Sequence, residues 1–85
     1  MRKTIHSAQG RLLSETLRQI RERAGLTQRE LCRRLGKEHS FVSKYELGER
    51  RIDIVEFYWI CKACGVSPEV EATQLMKAFA ALDRE

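Results

Sequence analysis

The chain has 85 residues, 42% of them hydrophobic and 33% charged, enough for one domain around a single small core and too few for a cofactor domain joined to a substrate domain. This composition excludes intrinsic disorder and fibrous repeats. The net charge of +4 hides an asymmetry: residues 1–51 hold thirteen Lys/Arg against six Asp/Glu, and residues 52–85 hold three against six, so one half is suited to a polyanion.

Residues 1–10 are polar, with Arg2 and Lys3 near the start, and are expected to form a flexible arm. No apolar run follows that resembles a signal peptide, and none reaches the length of a membrane span, so the expected location is the cytoplasm. Leu13, Leu17, Ile20 and Ala24 recur at spacings of four, three and four, the stripe of a first amphipathic helix that Gly25 ends. Thr27-x-x-Glu30 is a capping box opening a second helix through Leu31, Cys32 and Leu35, closed by Gly36. A third short helix is expected over residues 38–47, with Val42 and Tyr45 inward and Gly48 as its stop.

Residues 49–52 form a charged loop. Asp53-x-x-Glu56 is a second capping box, and Ile54, Phe57, Tyr58, Cys61 and Cys64 are read as the inner stripe of a fourth helix ending at Gly65. Ser67-Pro68-Glu69 has the chemistry of a helix start, and Val70, Leu75, Met76, Phe79 and Leu82 supply the apolar side of a fifth helix. The expected fold is an all-α, compact five-helix bundle: an arm (1–10), a body (11–66), and a C-terminal helix (67–85) that packs on the body and aids association.

Within the body, Gly25-Leu-Thr-Gln-x-Glu-Leu31, Leu35-Gly36, Val42-Ser-Lys-Tyr-Glu-x-Gly48 and Cys64-Gly65-Val66 together resemble the helix-turn-helix domain of phage repressors of the lambda type and of the xenobiotic-response-element family of bacterial regulators. The match runs without a gap from about Leu17 to Val66. The chain departs from the usual pattern at Leu47, where Asn is common, at Ile52, where Pro is common, and at Glu38.

The resemblance implies a lambda-repressor-like domain whose helices 2 and 3 form the helix-turn-helix, with helix 3 in the major groove of a double-stranded DNA operator. Glu38, His39, Ser40, Ser43 and Lys44 then face base edges. Helical spacing independently turns 39, 40, 43 and 44 outward when Val42 and Tyr45 are inward. Lys44 suits guanine; Glu38 suits cytosine N4 or, equally, the positive end of a helix dipole. Phe41 fits packing better than contact with a thymine methyl. Thr27 and Gln28 are implied phosphate contacts beside their capping role. Arg50 and Arg51 are candidate backbone clamps or simply solvated. In related repressors, positions matching Arg21 and Glu46 form an ion pair, implying a structural tie between helices 1 and 3.

Cys61-x-x-Cys64 resembles half a metal site, but only Cys32, His6 and His39 remain to complete it, and buried small hydrophobes are the simpler account. No metal or other cofactor is expected. No nucleophile motif or phosphate loop is present, so an enzyme is not expected either. A transcriptional regulator, acting as a repressor by occlusion, is the principal reading. The alternative is a protein-interaction module such as an antitoxin with a toxin partner, which also binds its own operator. Val55 and Trp59 lie four apart on the outer face of helix 4; with Phe79 and Leu82 they suggest a homodimer surface, unless helix 5 merely caps the core.

Overall fold

The computed structural model describes residues 7–84. Its helices are α1 (Ala8–Arg23), α2 (Gln28–Leu35), α3 (Phe41–Glu46), α4 (Ile54–Ala63) and α5 (Pro68–Leu82), with no strand among the described residues. Helix α1 packs against α3 and α5, α2 against α3 and α4, and α4 against α5.

Helix α1 starts earlier than its apolar stripe indicates. Ser7 is its N-cap and accepts from the Gly10 amide at 3.1 Å. Ala8, Gln9 and Gly10, assigned to the arm by their lack of apolar spacing, are therefore helical; residues 1–6 lie outside the described residues. The Gln9 side chain donates to Asp83 at 2.7 Å, joining the start of α1 to the end of α5. Leu17 and Ile20 are fully buried, each such side chain contributing roughly 1.5–3 kcal/mol relative to exposure.

Both capping boxes form. Thr27 accepts from the Glu30 amide while the Glu30 carboxylate accepts from the Thr27 amide, and Asp53 and Glu56 do the same for α4. Gly36 ends α2 at φ +66°, a left-handed conformation that costs a residue with a Cβ about 1–2 kcal/mol.

Helix α3 is shorter than the span 38–47 expected from sequence. Glu38 and His39 belong to the turn that precedes it, with the Phe41 amide donating to the Glu38 carbonyl at 3.1 Å. The left-handed Gly36 and the Lys37 amide, which donates to the Cys32 carbonyl, complete the end of α2, so helical geometry resumes only at Phe41.

The phase of α4 also differs from expectation. Phe57, Ile60, Cys61 and Cys64 are buried, whereas Ile54 and Tyr58 are 70% and 44% exposed. The helix is apolar on nearly every side (IVEFYWICKA), so two stripes of equal spacing compete, and only packing against α2 and α5 selects between them. On α5, Leu75 is buried and Ala72 and Phe79 pack on the core, while Val70 and Met76, expected on its apolar side, are more than half exposed.

Cys32, Cys61 and Cys64 are free, buried thiols. Burial pushes Cys61 up to about 11 and Cys64 in the same direction, as for thiols that pack as small hydrophobes. Among the described residues no group of three or more His, Cys, Asp or Glu side chains is placed to hold a metal ion; His6, weighed as a ligand, lies outside them.

Tyr45 is 1% exposed and packs edge-on against Phe41, their ring centroids 5.5 Å apart. Its hydroxyl has no hydrogen-bond partner among the described residues, and burial pushes its pKa far above the ordinary range. An unsatisfied buried hydroxyl costs about 1–3 kcal/mol. Tyr45→Phe is therefore expected to leave stability unchanged or raise it by about 1 kcal/mol in urea denaturation; a clear loss would mean that the hydroxyl has a partner.

Candidate nucleic-acid interface

Helix α3 is held from behind and polar in front. Phe41, Val42 and Tyr45 enter the core, whereas Ser40, Ser43, Lys44 and Leu47 recur at spacings of three, one and three on the opposite side. Lys44 is exposed, with no side-chain hydrogen bond or ion pair among the described residues. Ser43 is half-buried and its hydroxyl donates to the Ser40 carbonyl at 3.1 Å; the Ser40 hydroxyl reaches Glu38 at 3.4 Å. Glu38 and His39 are exposed in the turn. Leu47, noted in the sequence as a departure from the family pattern but not placed on the groove face, is 70% exposed on the same stripe. Its spacing from Ser40, Ser43 and Lys44 was the available signal.

The ends of α1, α2 and α3 meet at one buried cluster. Arg21 donates to both Glu46 carboxylate oxygens, at 2.7 and 3.0 Å, and to the Leu26 carbonyl at 2.8 Å. The side chains of Arg21 and Glu46 are only 11% and 5% exposed. The hydrogen bond to Glu46 is the main reason the Arg21 guanidinium holds its proton above the ordinary value. Gln28, the first residue of α2, donates to Glu46 at 2.9 Å. Its side chain is thus committed to α3 as well as standing at the helix start, while Thr27 is exposed beside it with its hydroxyl in the cap. Glu46→Ala leaves the buried Arg21 with only the half-exposed Glu22 carboxylate, 4.0 Å away, and is expected to cost about 3 kcal/mol in denaturant unfolding; a cost below about 1 kcal/mol would mean the pair is solvated.

The two loop arginines separate. Arg51 is exposed. Arg50, read as a backbone clamp, donates to both Glu56 carboxylate oxygens at 3.0 and 2.8 Å and to the Arg51 carbonyl at 2.7 Å, and its guanidinium carbon lies 4.8 Å from the Phe41 ring centroid. This pairing holds the Glu56 carboxyl below its ordinary 4.5. A depressed acid stabilises the fold above its unfolded-state pKa and loses that contribution as pH falls through the lower folded value. The stability advantage of the native protein over Glu56→Gln is therefore expected to start shrinking below pH 4.5 and to vanish once pH has fallen through the lower folded value, in a series of acid unfolding curves; an advantage constant across the series would contradict the pairing.

Val55 and Trp59 are 60% and 57% exposed on the outer side of α4. Phe79 packs on the core and Leu82 is half-buried, so helix 5 partly caps the core through the residues weighed as interface. Ile54, Tyr58, Val70 and Met76 are exposed as well, with Tyr58 edge-on to Trp59 at 5.1 Å between ring centroids. No helix among the described residues is long and apolar enough to cross a membrane.

The chain matches the family model of a helix-turn-helix domain over residues 12–75. A solved XRE-family-like protein from Pseudomonas syringae pv. tomato is 42% identical, aligns over 87% of this chain and 90% of its own, and superposes with a TM-score of 0.80. The restriction-modification controller protein C.Esp1396I, solved as a tetramer with its natural 35 base-pair operator, is 26% identical over 85% of this chain and 95% of its own, with a TM-score of 0.74. The wild-type controller is 25% identical over 88% and 99%, with a TM-score of 0.76. No curated protein matches the chain.

Proposed function

The chain belongs to the helix-turn-helix family of xenobiotic-response-element type, and on that footing we propose that it is a transcriptional regulator that reads double-stranded DNA with α3 in the major groove. The observation that carries this reading is the outward stripe of α3: Ser40, Ser43, Lys44 and Leu47 face away from a core that holds Phe41, Val42 and Tyr45 rigidly. A pure interaction module would present a mainly apolar or acidic face, whereas this stripe sets a single apolar side chain, Leu47, beside two serines and the exposed cation Lys44. The solved complex of the related controller with its operator supports the same use of the fold.

In this reading Lys44 donates to guanine, the Leu47 side chain meets a thymine methyl, and Glu38, His39, Ser40 and Ser43 complete the base-facing set. Thr27 and the first amides of α2 hold one phosphate and Arg51 another. The protein acts in the cytoplasm, without catalysis, as a repressor that occludes its promoter. It binds as a homodimer through the apolar surface of α4 and α5, reading two half-sites about one helical turn (~34 Å) apart.

Selection of bound duplexes from a random pool at physiological salt tests this. A palindromic consensus is expected; sequence-blind binding would overturn it. On the selected site, Lys44→Ala is expected to lose about 1–3 kcal/mol of discrimination at one base position without changing stability. Arg51→Ala is expected to weaken all duplexes alike and to lower the salt slope by about one. A change confined to particular sequences would reassign Arg51 to base reading.

A further inference from the structure

Helix α3 has only six residues, and its N-cap Ser40 makes no side-chain capping hydrogen bond. A helix this short has little stability of its own, and a missing cap leaves its first turn without local support. Its far end is secured by the Arg21–Glu46–Gln28 cluster. At its near end, the first residue is Phe41, 4% exposed, and a cation sits over its ring: the Arg50 guanidinium at 4.8 Å, with Lys37 Nζ at 5.2 Å. Arg50 is itself oriented by both Glu56 oxygens. Glu56 is fixed in turn by the capping box of α4, where it accepts from the Asp53 amide at 3.0 Å. An unbroken series of contacts thus runs from the first turn of α4 through Glu56 and Arg50 to the start of α3.

We infer that Arg50 is a positioning residue that sets the angle of α3 from its N-terminal end, with Glu56 as its anchor, and is not a phosphate contact. This rests on the DNA-reading function proposed above, and deepens it by assigning opposite roles to adjacent arginines. The guanidinium suits the task because its planar fork engages a carboxylate with two parallel bonds while its face meets an aromatic ring. Lysine, a point charge on a flexible stem, cannot do both.

The decisive variant is Glu56→Gln. Glutamine keeps the length and capping ability of glutamate, removes a negative charge and takes away one side of the fork. If Arg50 positions α3, Glu56→Gln and Arg50→Gln each reduce the preference for the selected operator over random duplex about tenfold, the double variant loses no more than either single one, and the salt slope stays that of the parent protein. Arg50→Lys then fails to restore the preference. If Arg50 is a clamp, Glu56→Gln frees it and tightens binding to every duplex, Arg50→Gln weakens every duplex with the slope falling by about one, and Arg50→Lys restores binding; that pattern overturns the inference.

Amide hydrogen exchange of the free protein gives a second readout that needs no DNA, and so separates failure here from failure of the proposed function. The Lys44 and Leu47 amides, which donate to the Ser40 and Ser43 carbonyls at the two ends of α3, are expected to accelerate about tenfold more than the α1 amides in both single variants, the α1 change reporting only the global loss of stability. Unchanged exchange in α3, or equal acceleration throughout the chain, would overturn the positioning role.

Discussion

The bidentate pair between Arg21 and Glu46 is the interaction on which the arrangement of the three N-terminal helices depends. Each partner alone would be an expensive buried charge, and their net contribution to stability is small once both are desolvated. What the pair contributes is geometry. Two parallel hydrogen bonds from the planar Arg21 guanidinium to Glu46, a third from it to the Leu26 carbonyl and a fourth from Gln28 to Glu46 tie the last residue of α3 to the body of α1 and to the first residue of α2. Few relative orientations of these helices satisfy all four donors.

Helix α3 needs such external definition because it cannot define itself. With six residues it has too few internal hydrogen bonds to repay the cost of nucleation, and its pose comes from what it buries and what grips its ends. Phe41, Val42 and Tyr45 occupy the core, and arginine–glutamate pairs lie at both ends, the nearly enclosed Arg21–Glu46 pair and the half-open Arg50–Glu56 pair. The exposed side chains between them are thereby presented from a rigid support, which is what reading base edges requires. The Tyr45 hydroxyl is the one unsatisfied buried side-chain polar atom in this support among the described residues.

The basic and acidic halves of the chain also take on structural meaning. The cations of the first half are not one undifferentiated patch. Arg21 is buried and Arg50 is paired with Glu56, and Arg34, though exposed, donates to the Ala63 carbonyl at the end of α4, whereas Lys44 and Arg51 are exposed. Formal charge therefore overstates the number of groups available to a polyanion. The counterion-releasing contribution must come from the exposed subset.

Local chemistry was legible in the amino-acid sequence wherever a few neighbouring residues suffice. The capping boxes Thr27/Glu30 and Asp53/Glu56, the stop at Gly36, the inward Val42 and Tyr45 and the resulting five helices depend on spacings of three or four residues and on backbone sterics, which act without reference to distant parts of the chain. The Arg21–Glu46 tie could be expected only through resemblance to related domains. Tertiary structure alone decided that α4 turns Ile60 inward and Ile54 and Tyr58 outward, and that Arg50 spends its guanidinium on Glu56 and Phe41 while Arg51 does not. The physical reason is common to these cases. An apolar surface on all sides of a helix, or two adjacent arginines in a loop, offers equivalent local choices, and only the shape and charge of the surface packed against them makes one choice lower in free energy.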